Sequence, residues 1–122
     1  MLVEDAMSSH LIWKLHLEHA LAGAEPLNPG LTSTVARDVD QCSLGRWIAD
    51  KAPRYEGIAE FDALMLAHAE FHAEAAAVLE KIEAGDACGA RVLMGGPFQA
   101  ASRRIINALY GMKKREAEAA PA

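Results

Sequence analysis

One stripe of residues constrains this chain more than any other feature. Phe61, Leu64, His68, Phe71, His72, Ala75, Leu79 and Ile82 recur at intervals of three, four and seven. That period places them on one side of an α-helix, and an apolar side of this kind must be buried against other elements. The other side carries Glu70, Glu74 and Glu80 among alanines, as solvent requires. A long amphipathic helix therefore sits against a core, and two histidines, His68 and His72, point into that core one turn apart.

The rest of the 122 residues reads as helix too. Alanine, leucine and glutamate are plentiful, while aromatic residues make up 6% of the chain, a balance that favours helix over sheet. A first helix runs from near the amino terminus to about Ala22, with Ser8 or Ser9 as a cap if the residues before them fray. Gly23 and the segment Glu25-Pro-Leu-Asn-Pro-Gly30 stop it, and residues 24–36 read as a loop or short irregular segment. Asp38 or Asp40 then caps a short helix from Cys42 to about Lys51, ended by Pro53. The long helix spans Tyr55 to Ala84 and stops at Gly85. A last segment begins near Asp86, breaks at Gly95-Gly96-Pro97 and resumes to about Lys114. The expected architecture is all-α: a four-helix bundle with an additional short helix carrying Cys42, one domain over residues 1–115, and a frayed tail over 116–122.

Helical angle sorts the remaining histidines. His10, Trp13, Leu17 and Leu21 form an inward stripe on the first helix, whereas His16 and His19 fall away from it and read as surface or interface residues. A buried imidazole needs a partner, because an unpaired polar group in an apolar core costs about 1–3 kcal/mol. Backbone carbonyls are one answer. A metal ion is the other, and the spacing of His68 and His72 puts both imidazoles at one ion. Cys42 offers a soft fourth donor at the first turn of its helix, where free N–H groups favour thiolate. Its other reading is a small apolar filler. Gly45 costs its short helix stability and so requires a packing reason, and Leu44 and Trp47 are the apolar anchors of that helix. Cys88 lies far along the chain from the histidines and reads as structural or exposed. Three neutral imidazoles and one thiolate suit tetrahedral zinc, and copper is chemically compatible. No inward carboxylate accompanies His68 and His72, as iron or manganese sites in bundles usually require.

Three motifs in this order resemble a known signature. His10-Leu-Ile-Trp13, Cys42-Ser-Leu-Gly-Arg-Trp47 and His68-Ala-Glu-Phe-His72 match H-x-x-W, C-x-L-G-x-W and H-x-x-x-H of the chemoreceptor zinc-binding domain, or CZB. The likeness covers roughly residues 6 to 112. It implies a four-helix bundle with zinc on His10, Cys42, His68 and His72, and with Trp13, Leu44, Gly45 and Trp47 in supporting packing positions. It further implies regulation rather than catalysis. Such domains commonly join soluble chemoreceptors or diguanylate cyclases, often pair as homodimers, and respond to zinc or to oxidants such as hypochlorous acid at the cysteine. The chain holds neither a receptor signalling hairpin nor a cyclase domain, which leaves its output open.

The residues agree with a regulatory role. Four protein donors leave no open position for a catalytic water, and Ala69 stands where a zincin would carry its general-base glutamate. A zinc-stapled interaction domain would use the same four residues. A net charge of −5 with no basic stripe argues against nucleic acid. The apolar runs are too short to span a bilayer, and the acidic amino terminus is unlike a signal peptide. The expected setting is the cytoplasm, where a Cys42–Cys88 disulfide is disfavoured. Leu11, Ile12 and Leu15 give the first helix more apolar surface than one core uses, in keeping with a homodimer.

Overall fold

The computed structural model describes residues 3–23, 32–38 and 42–119. Among them it forms six helices and no strand: α1 (Val3–Leu21), α2 (Ser33–Arg37), α3 (Ser43–Tyr55), α4 (Ala59–Glu83), α5 (Ala87–Gly95) and α6 (Pro97–Ala119). The all-α bundle expected from periodicity is the architecture found. Helices α1, α4, α5 and α6 pack around one core, while α2 and α3 lie against α4.

Helix α4 organises the molecule. Phe61, Leu64, His68, Phe71, His72, Ala75 and Leu79 are all buried, and Ile82 packs at the margin. The alanines of α4 let neighbouring helices approach closely, and Phe71 meets Phe98 of α6 with ring centroids 5.2 Å apart. On the surface, Arg104 of α6 binds the Glu70 carboxylate at 2.7 Å. Trp47 and Tyr55 of α3 pack with Phe61 of α4, at centroid distances of 6.3 and 5.5 Å, and pin the short helix to the long one.

Several boundaries differ from the sequence expectation, each for a local reason. Residues 33–37 are helical rather than loop: the Thr32 hydroxyl caps the Val35 N–H, and burial of Ala36 holds the turn in place. Helix α3 is not capped by Asp38. Its N-cap is Cys42 itself, whose sulfur accepts the Gly45 N–H, while Asp38 closes α2 and Asp40 lies outside the described residues. Pro53 does not end α3; the helix forgoes one hydrogen bond there and runs on to Tyr55. The run from Tyr55 is broken by Gly57 at φ +83°, so α4 begins at Ala59. Its end follows expectation. Gly85 at φ +77° and the bonds Gly85 N–H to Ile82 O and Asp86 N–H to Lys81 O form a Schellman close. Ser8 and Ser9 lie inside α1 rather than capping it, and α6 continues past Lys114 to Ala119, into the segment read as a tail.

Candidate metal centre

The core histidines need acceptors, and two of them find backbone carbonyls. The carbonyl oxygen of Ala6 accepts from His10 Nδ1 at 2.7 Å, and that of Ala36 accepts from His72 Nδ1 at 2.9 Å. A carbonyl can only accept, so each Nδ1 carries the ring proton and each Nε2 is left with a bare lone pair. The backbone-carbonyl reading thus holds for Nδ1 of His10 and His72, and it leaves their Nε2 atoms available as metal donors.

The Nε2 atoms of His68 and His72 converge on one sulfur. Cys42 Sγ lies 3.1 Å from His68 Nε2 and 3.4 Å from His72 Nε2. One donor atom from each of His10, Cys42, His68 and His72 falls within 4.8 Å of every other, and all four residues are buried. The edges of a tetrahedral zinc site with these ligands measure about 3.3–3.6 Å, given metal–nitrogen and metal–sulfur bonds of about 2.0–2.1 and 2.3 Å. The two sulfur–nitrogen distances are close to that range. His10 Nε2 has no hydrogen-bond partner despite its burial, and a polar atom so placed is costly unless something else binds it. The donor set and this orphaned nitrogen both fit a zinc ion.

Electrostatics favour the form a metal needs. Burial lowers the pKa of His10 to about 4, a drop that the Ala6 carbonyl opposes and the nearby His72 adds to. Burial, with His72 and His10 beside it, lowers His68 to about 3. Burial also lowers His72, against the pull of the Ala36 carbonyl and Asp38. All three rings are held neutral, as metal ligation requires. At the cysteine, the Gly45 N–H points at Sγ from 3.3 Å and stabilises negative charge on the sulfur.

The supporting residues have distinct duties. Trp13 packs edge-on against His72 at 5.2 Å, and Phe71 against His10 at 4.7 Å. Leu44 is fully buried beneath α3. Gly45 supplies the amide that faces the sulfur, and Trp47 meets Tyr55 and Phe61, holding α3 in place. His16 and His19 are half-buried and lie outside the group of four, and Cys88 is exposed. Sequence reasoning missed Ala6 and Ala36, which act only through main-chain oxygens; the Thr32-Ser33 start of α2 was the available signal for the second.

A helical bundle enclosing three neutral imidazoles and a cysteine defines a buried metal-site domain. The family model described as the chemoreceptor zinc-binding domain matches residues 10–79, more than half of the 122-residue chain and a span that includes all four donors. The chain belongs to that family. Comparison with curated proteins and with solved structures gave no match.

Proposed function

We propose that this domain is a zinc-dependent regulatory sensor that holds one ion through His10, Cys42, His68 and His72. The observation that carries the reading is His10 Nε2, a buried, unpartnered lone pair at the edge of a cluster that already contains a sulfur and two imidazoles. A bound zinc supplies one positive centre shared by all four donors and keeps the sulfur as thiolate. The chain's own residues do the rest. Ala6 and Ala36 fix the tautomers of His10 and His72, Phe71 and Trp13 wall the rings, and the Gly45 amide faces the thiolate.

Cys42 is the responsive group. It alone among the four has redox chemistry, and it sits at the N-cap of the short helix α3 rather than within a long one. Hypochlorous acid would convert its thiolate to sulfenic acid with release of chloride, and the weakened donor would loosen α3 from the site. The regulated partner fits a chemoreceptor or diguanylate cyclase, with the domain working as a homodimer in the cytoplasm. Among the described residues no helix is long and apolar enough to cross a membrane.

The test is metal content and cobalt(II) absorption on wild type and Cys42→Ala. One equivalent of zinc and a sulfur-to-cobalt charge-transfer band, lost in the variant, support the four-donor site. Equal affinity in both proteins refutes it. The deep burial of all four donors also favours a second reading, an inert zinc staple in an interaction domain. Exchange on the scale of physiological free zinc, or release by mild hypochlorous acid, separates the sensor from the staple.

A further inference from the structure

Helix α2 has five residues, far too few to be stable alone. It nevertheless presents the Ala36 carbonyl to His72 Nδ1 at 2.9 Å. What holds it there is a set of contacts to the C-terminal half of α4. The Glu83 carboxylate accepts twice from one residue, from the Ser33 N–H at 2.9 Å and from the Ser33 hydroxyl at 2.6 Å. Arg37 pairs with Glu80 one turn earlier on α4. Ala36, between these anchors, is buried without remainder. The Ser33 hydrogen bonds hold the Glu83 carboxyl below its usual range, so the carboxylate is charged and the bonds are charge-assisted.

We infer that Glu83 is a positioning residue for the metal centre: by clamping Ser33 it seats α2 so that the Ala36 carbonyl fixes the His72 tautomer and turns Nε2 toward the other donors. Glu83 lies beyond the residues matched by the family model. It touches none of the four donors, so its effect travels through Ser33, Ala36 and His72 in turn. Both anchors of α2 lie at the surface, and the Arg37–Glu80 pair joins the last residue of α2 to α4 by charge alone, which solvent screens, whereas Glu83 takes two directional hydrogen bonds from Ser33. The Glu83 clamp acts beside the Thr32 cap, on the first residue of a five-residue helix, and it ties that start to α4 by two bonds to one residue.

The inference rests on the zinc reading for its consequence, and its test has an arm that does not. In metal-free protein, long-range ¹H–¹⁵N NMR reports which nitrogen of each histidine is protonated. Wild type is expected to show His72 protonated at Nδ1. Glu83→Ala is expected to shift His72 toward protonation at Nε2 while leaving His10 unchanged, because the Ala6 carbonyl belongs to α1. Zinc affinity, from competition with a chromophoric chelator, is expected to fall about tenfold, the low end of what removing an outer hydrogen-bond partner of a ligand costs. Glu83→Gln keeps an acceptor for Ser33 and is expected to stay within about twofold of wild type on the same scale. Ser33→Ala, which removes only the hydroxyl donor, gives an intermediate shift and guards against a Glu83→Ala chain that fails to fold. An unchanged His72 tautomer in both alanine variants overturns the inference, as does a loss of affinity in Glu83→Ala with no tautomer change. Absence of zinc binding by wild type refutes the zinc reading alone, because the tautomer measurement still decides the clamp.

Discussion

His10 shows how much one atom can demand of its surroundings. Its ring is closed in by Phe71, its Nδ1 is taken by Ala6, and its Nε2 is left bare. Replacing Cys42 with alanine removes the sulfur donor of the group of four. Zinc affinity is expected to fall by more than about a hundredfold, since losing an outer partner alone costs about 10–100-fold. Far-UV circular dichroism should keep most of the helical signal, because Cys42 is a small residue at the N-cap of α3 and the long helices pack on one another through other side chains. Phe71 belongs to both site and core, wholly buried between His10 and Phe98. Phe71→Ala is expected to cost about 3–5 kcal/mol in urea unfolding, and a loss under 1 kcal/mol would mean the site collapses around the gap. At this scale the sequence was informative where a side chain carries the chemistry. His10, Cys42, His68 and His72 stood out because polar groups on apolar stripes are conspicuous. The carbonyls of Ala6 and Ala36 did not, because every residue owns one and only the fold decides which is used.

Among the elements, the long helices were legible and the short ones were not. Helix α4 repeats its apolar spacing over about six turns, from Phe61 to Ile82, so its face follows from the sequence, and only its start was misplaced. Tyr55, Glu56 and Ile58 are residue types compatible with helix, yet Glu56 and Ile58 take extended backbone on either side of Gly57, whose positive φ makes the turn between α3 and α4. Helix α2 could not be recognised by period, since five residues make little more than one turn. It exists through contacts made far along the chain, at Glu83, Glu80 and His72. The Gly57 turn offers a clean measurement. A Cβ there would meet no atom within 4 Å, so substitution costs only backbone strain. Gly57→Ala is expected to destabilise by about 1–2 kcal/mol, the penalty for a left-handed L-residue, read as a lower denaturation midpoint with an unchanged slope. Amide hydrogen exchange should find α3 opening before α4, and the gap between them narrowing when zinc is added.

For the molecule as a whole, the three neutral imidazoles make stability depend on pH. His10 has a folded pKa of about 4 and His68 of about 3, against an ordinary value of 6.5. Below pH 6.5 the unfolded chain takes up protons that the folded metal-free chain refuses, so the unfolded state binds more of them and stability falls as pH falls. The loss begins near pH 6.5 and continues until the folded rings themselves protonate, near pH 4 and below. Thermal unfolding of metal-free protein should therefore show a falling midpoint from pH 7 to pH 4, and a flat profile would contradict neutral buried rings. Leu11, Ile12 and Leu15, each more than half exposed, form the broadest apolar strip on α1. If a homodimer forms across that strip, Leu15→Glu should convert it to monomer in sedimentation velocity without loss of zinc.

The four donors stand at positions 10, 42, 68 and 72, so an ion that joins them ties the chain into two large loops. Pulled from its ends, such a chain cannot lengthen through the whole enclosed stretch until His10, or Cys42, His68 and His72 together, let go of the ion. The 62 residues from His10 to His72 (72 − 10) hide about 200 Å of contour length, at about 3.3–3.6 Å per residue. Oxidation of Cys42 would merge the two loops into one while leaving the histidines tied, so on a force trace the enclosed length would stay hidden, and the chemical trigger would be mechanically silent until the histidine tie gives way.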